Sequence, residues 1–202
     1  MIQGGYIRLG HLRGAPVLLH ITTPLGAWMF SGFNFVPAAW LGFALLVFFH
    51  ELGHALMVWR AGGWVQQVEI LPMGGRCVWR GNVTPLGRAC IAFAGVWMQI
   101  LLFIATKVFL SFFGQGLSAS THQLISVFTA ANLVMMAINL LPVEPLDGAE
   151  AWKLFPLLVK GAWRGARRKR LEAEIVHLQS ELGSLEGKQQ QPPAEKQRTY
   201  LN

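Results

Sequence analysis

The sequence predicts an all-α membrane protein: a bundle of about four transmembrane helices with a short β-hairpin insert and a C-terminal cytoplasmic helix. Composition is the first observation behind this. Of 202 residues, 53% are hydrophobic and only 13% charged, whereas a soluble domain carries about twice that charged fraction. The second is a set of apolar runs long enough to cross a bilayer. The third is that the basic residues gather on alternate connections between those runs. The length suits one compact membrane domain, residues 1–162, a basic heptad-like helix over 163–186, and a polar tail over 187–202 that is too hydrophilic to fold by itself.

Met1 to Gly14 is polar enough to lie outside the bilayer. A first membrane helix is expected from about Ala15 to Ser31, interrupted by Thr22, Thr23 and Pro24. His20 falls inside it, either bonded to a neighbouring helix or close behind a functional site. The second helix runs from about Val36 to Trp59 and ends at Arg60 before Gly62-Gly63. Val65, Val68, Ile70, Val78 and Val83 are strand formers, and Met73-Gly74-Gly75-Arg76 between them is turn chemistry. That stretch reads as a hairpin or paired strands whose exposed edge suits an extended peptide, or as a plain connecting loop. The third and fourth helices are expected from about Arg88 to Phe113 and from Gln123 to Leu141. Lys107, the one charge in the third, can snorkel to the nearer surface.

Arg8 and Arg13 precede the first run, Arg60, Arg76, Arg80 and Arg88 follow the second, and Lys153, Lys160 and a basic cluster follow the fourth. The opposite connections, Gly32 to Phe35 and Gly114 to His122, hold no Lys or Arg. The positive-inside rule then puts both termini in the cytoplasm of a multi-pass cell-membrane protein. Trp28 and Trp40 fall near the outer interface, Trp59 and Trp64 near the inner one, and Trp97 alone is out of place. The net charge of +7 follows this distribution, which argues against a nucleic-acid partner. Cys77 and Cys90 match no metal-ribbon spacing and read as free thiols. The N-terminus lacks the ordered parts of a removable signal peptide. Arg164 to Arg170 places five basic residues among seven, suited to anionic headgroups of the bilayer. Leu171, Ile175, Leu178, Leu182 and Leu185 then alternate at spacings of four and three, an a/d seam for a twin, a partner or the membrane domain itself.

The chemistry sits at the end of the second helix, in His50-Glu51-Leu52-Gly53-His54. Residues four apart share a helix face, so His50 and His54 can offer two imidazole nitrogens to one metal ion, ~21 Å in from the helix start. Glu51 can reach a water on that metal and act as general base. Histidines and a glutamate in hydrocarbon are costly unless metal-bound, paired or wet, so their presence needs a reason. A catalytic zinc usually takes three protein ligands and keeps an open position. The fourth helix ends in Asn139-Leu140-Leu141-Pro142-Val143-Glu144-Pro145-Leu146-Asp147-Gly148. Its prolines break the helix on the side of His54, which is tolerated at membrane depth only in protein or beside a wet cavity. Asp147 is the favoured third ligand, with Glu144 the competitor between two prolines that fix its backbone.

HELGH on one helix and NLLPxxPLDG on a later one resemble the site-2 protease family of intramembrane metalloproteases, over roughly Gly14 to Lys160. The resemblance implies one Zn2+ per chain held by His50, His54 and Asp147, and Glu51 activating water against a scissile carbonyl. It implies that Asn139 steadies the oxyanion or substrate backbone, and that the Leu71 to Val83 insert, with Gly74 and Gly75 at its turn, holds an unwound segment of a membrane-protein substrate. Where members often carry Gly-Pro-x-x-Asn, this chain reads Gly95-Val96-Trp97-Met98-Gln99. Ala149 also stands where a second glycine is common. The alternative is a non-catalytic zinc-containing membrane scaffold acting through Leu171–Leu185. Intact Glu51 argues against it, since a structural zinc has no use for a base. A metal transporter would need repeated halves, and no internal repeat is visible.

Overall fold

The computed structural model describes residues 2–189. It divides into two compact units, one ending at Pro156 and one beginning at Leu157. Most of the first unit is helical. α2 (Pro37–Arg60) and α3 (Pro85–Phe113) each have a proline in the first turn, where its missing N–H costs nothing. Thr84 caps α3 by accepting from the Gly87 N–H at 3.1 Å. α4 (Ala119–Ser126), a π-helical turn (Val127–Ala131) and α5 (Asn132–Asn139) join into a third long apolar helix. Among the described residues, these three helices are long and apolar enough to cross a membrane.

The first apolar run corrects the sequence reading. Ala15–Ser31 is not a fourth transmembrane helix: it holds a strand, β3 (Ala15–His20), and a short helix, α1 (Thr23–Phe30). The physical reason is pairing. β3 bonds to β2 (Tyr6–Leu12) on one side and, in parallel, to β4 (Trp64–Leu71) on the other. Ala15 and Val17 are buried in the core by that pairing rather than turned to lipid. α1 has only eight residues, ~12 Å of helix. The expected hairpin is present as β4 and β5 (Gly74–Arg80), antiparallel with Leu71 opposite Gly74. It belongs to a larger sheet than expected, five strands in the order β1-β2-β3-β4-β5, where β1 is Ile2–Gln3. The Thr23 hydroxyl donates to the Ile70 carbonyl at 2.9 Å and ties α1 to β4.

The helices come together through glycines at two places. A Cβ at Gly53 would strike the Ala94 backbone of α3, and one at Gly42 would press on Leu124 and Val127 of the third span. Beneath the sheet, Phe43, Leu46, Val47 and Val58 of α2 pack with Val65, Val68 and Ile70 of β4. After Asn139 the chain reverses through a non-helical turn into α6 (Gly148–Ala151). The second unit consists, over its described residues, of α7 (Leu154–Gln189), which begins just before it. α7 covers the expected 163–186 helix and continues to Gln189; the rest of the polar tail lies outside the described residues.

Gly53→Ala is expected to force α2 and α3 apart and cost about 1–3 kcal/mol, as overpacking does. Gly165→Ala, where a Cβ meets nothing within 4 Å, should be neutral or slightly stabilising. Thermal unfolding of the two purified variants in detergent compares them, and equal midpoints would remove the close-crossing explanation.

Candidate active site

α2 carries His50, Glu51 and His54 into the interior of the bundle, where all three side chains are buried. One helical turn between the histidines brings their Nε2 atoms to 3.1 Å. Asp147 returns from the far end of the chain, its Oδ2 2.9 Å from His50 Nε2 and 3.1 Å from His54 Nε2. Gly148 allows this return, because a Cβ there would run into the Leu140–Leu141 backbone. The Trp152 indole donates to the Leu140 carbonyl at 2.7 Å and pins the same reversal.

The opposite ring nitrogens decide what the cluster can bind. His54 Nδ1 donates to the Ile91 carbonyl at 2.7 Å, and His50 Nδ1 to Gln99 Oε1 at 3.0 Å. An imidazole protonated at Nδ1 presents a lone pair at Nε2. Two lone pairs and a carboxylate oxygen therefore converge with separations near 3 Å, close to the ~3.3 Å edge of a tetrahedron with 2.0–2.1 Å metal bonds. Such an arrangement is repulsive without a cation and well matched to one with nitrogen and oxygen preference. Among the described residues, His50, His54 and Asp147 form the one group able to hold a metal ion. Glu144 is exposed and absent from the cavity wall, so the structure does not bring the competing ligand to the histidines.

A cavity of about 440 Å³ opens onto these donors and is also lined by Glu51, Gly74, Gly75 and Asn139. The Glu51 carboxylate lies directly against Gly75, where a Cβ would overlap it, and also faces the backbone of Cys77. Burial, reinforced by the charge of Glu51, pushes the Cys77 thiol up to about 12 and leaves it neutral. Asn139 ends α5 with Nδ2 3.4 Å from His50 Nε2. His50, Glu51 and His54 of the first motif, Asn139 and Asp147 of the second, and Gly74 and Gly75 of the hairpin turn thus line one cavity, and Glu144 does not.

Gln99 answers the departure noted at the third helix: fully buried, it holds His50 from behind. Gly95 is needed one turn earlier, since a Cβ there would overlap both imidazoles. Asn132 escaped the sequence reading. It is fully buried and donates from Nδ2 to the Gln99 carbonyl at 2.9 Å and the Phe128 carbonyl at 3.2 Å. An amide in the middle of an apolar span was the available signal. His20 has neither expected role: it ends β3, bonds the Thr22 hydroxyl at 2.6 Å and packs edge-on against Tyr6. Trp97, out of place in the aromatic belt, is 56% exposed on α3.

Comparison with known proteins agrees with this geometry. Residues 27–145, more than half of the chain, match the family described as Peptidase M50B-like. The zinc metalloprotease MJ0392 of Methanocaldococcus jannaschii is 27% identical over 148 residues, covering 70% of this chain and 43% of that protein. Stage IV sporulation protein FB of Bacillus subtilis is 30% identical over 116 residues, 52% of this chain and 36% of that one. The chain thus spans less than half the length of these two relatives. The solved structure of a site-2 protease from Methanocaldococcus jannaschii superposes with a TM-score of 0.59 at 26% identity, over 77% of this chain and 72% of that chain. With the two motifs facing one cavity in a matching fold, the chain belongs to the peptidase M50B family, that of the site-2 proteases.

Proposed function

We propose that this chain is a zinc endopeptidase that hydrolyses a peptide bond in or near a transmembrane segment of a membrane-protein substrate. The observation that carries the reading is the convergence of His50 Nε2, His54 Nε2 and Asp147 Oδ2 beside a buried glutamate in an open cavity. His50, His54 and Asp147 would hold one zinc, the metal named for the Methanocaldococcus relative. When bound, zinc supplies Lewis acidity, which polarises a carbonyl and makes water acidic enough to react near neutral pH.

The remaining steps belong to the chain. Glu51 takes the proton of the attacking water as its oxygen bonds to the carbonyl carbon, then delivers it to the amide nitrogen as the C–N bond breaks. Asn139 directs its Nδ2 into the same space and donates to the carbonyl oxygen as negative charge develops there. β5 is an edge strand, so its outward N–H and C=O groups other than those of Cys77, which faces Glu51, are placed to pair with an extended substrate, with Gly74 and Gly75 keeping the approach to Glu51 open. A helical substrate must unwind locally to pair in this way.

β3 pairs in parallel with β4, which follows the C-terminal end of α2, and this supports a reading in which the N-terminal strands share that end's side of the membrane. By charge that side, with both termini, is the cytoplasmic one. A scaffold acting through Leu171–Leu185 leaves Glu51 and its cavity without a purpose.

The purified chain should carry about one zinc, lost or weakened in His54→Ala and Asp147→Asn and retained in Glu144→Gln; metal analysis that shows the reverse for the two acids would move the third ligand. Glu51→Gln should keep its zinc while cleavage of reconstituted single-span membrane proteins drops at least about hundredfold. Unchanged turnover would take the base role from Glu51. Gln99→Leu should weaken zinc about 10- to 100-fold in chelator competition, because His50 loses the partner that fixes its ring. An unaltered affinity would make Gln99 a packing residue only.

A further inference from the structure

Outside the metal site, α7 combines two chemistries on one helix. From Leu157 to Arg170 it carries Lys160, Arg164, Arg167, Arg168, Lys169 and Arg170 and no acidic residue. From Leu171 to Gly183 it carries Glu172, Glu174 and Glu181 and no Lys or Arg. The apolar residues change sides at the same point. Leu158, Val159, Ala162, Trp163 and Ala166 share one face at helical spacing, while Lys160, Arg164, Arg167 and Arg168 share the opposite face. The four-three spacing of Leu171, Ile175, Leu178 and Leu182 extends backward through Arg168 and Arg164, so this seam continues the basic face. All of it is open: Leu158 is 51%, Val159 59% and Trp163 79% exposed.

We propose that residues 158–170 of α7 lie in the plane of an anionic lipid surface. Leu158, Val159, Ala162, Trp163 and Ala166 enter the acyl boundary, and the Leu171–Leu182 seam is thereby turned away from the bilayer. Charge selects this occupant. Six cations, of which Arg168 pairs with Glu172 one turn on at 2.7 Å, suit a negative surface, whereas a second copy would set the same cations against each other. Trp163 has the amphipathic ring that favours the interface. Lys169 and Arg170 close the apolar face at its C-terminal end, among the headgroups, and the stem of Arg167 can reach down one flank. The change to acidic residues at Glu172 ends the contact, since that half is repelled by the same lipids. The inference rests on the membrane location of the chain and not on its proteolytic activity.

Spin labels test it on the full-length chain with Cys77 and Cys90 replaced by serine. Labels at Trp163→Cys and Arg164→Cys are compared in discs of phosphatidylcholine, with or without phosphatidylglycerol. The label at 163 should meet dissolved oxygen and be shielded from a water-soluble nickel chelate, with the reverse at 164. The contrast should grow with phosphatidylglycerol and shrink with added salt. Adding Arg167→Gln, Lys169→Gln and Arg170→Gln should remove the phosphatidylglycerol dependence, at about fivefold in partitioning per residue. Equal access at both positions, a contrast indifferent to phosphatidylglycerol, or a 163 label shielded from both reagents would overturn the proposal, the last by showing the face packed on protein.

Discussion

Three lone-pair donors facing one point inside an apolar bundle form the constraint on which the rest of this structure depends. His50 Nε2, His54 Nε2 and Asp147 Oδ2 repel one another unless a cation joins them. The chain accepts that repulsion by committing both Nδ1 atoms, one to the Ile91 carbonyl and one to Gln99. The glycines near the site serve the same end. Gly53 lets α2 meet α3, Gly95 leaves room for two imidazoles, Gly148 folds Asp147 back, and Gly75 lets the hairpin reach Glu51. A Cβ at Gly75 or Gly95 would overlap Glu51 or the imidazoles themselves, and one at Gly53 or Gly148 would strike the backbone that positions them.

The site was more legible than the fold. The i, i+4 histidines, the adjacent glutamate and the proline-broken end of the last span are visible in residue type and spacing, and the structure brings His50, Glu51, His54, Asn139 and Asp147 to one cavity. Ala15–Ser31 was misread because apolarity over about 17 residues does not distinguish a helix from a strand followed by a short helix. Only the parallel register of Val17 with Val68 decides it, and a partner fifty residues away leaves no local trace. Asn132 was missed for the opposite reason. Its amide serves a backbone carbonyl on another helix, a tertiary role without a motif.

The departure at position 99 has a physical reading once Asn132 is included. Gln99 spends its side-chain oxygen on His50, and its backbone carbonyl receives the Asn132 amide beside the π-helical turn. Among the described residues, Gln99 Nε2 and Asn132 Oδ1 are both buried without a partner, one a donor and the other an acceptor. The ring of His50 is thus held by Gln99, whose backbone is in turn held by Asn132.

The sheet raises a further requirement. Unpaired backbone groups in hydrocarbon cost several kcal/mol each, so non-helical chain at membrane depth survives only where it is paired or wet. Inner strands β2, β3 and β4 are bonded on both sides, but β5 is paired on one side alone. Its free edge starts at Gly74 and Gly75, against Glu51 and on the wall of the 440 Å³ cavity. Water can satisfy that edge at rest, and an extended peptide can replace the water bond for bond. The water that the proposed hydrolysis would require and the edge that would hold a substrate therefore need the same opening into the bilayer. A chain that sealed one against lipid would lose the other.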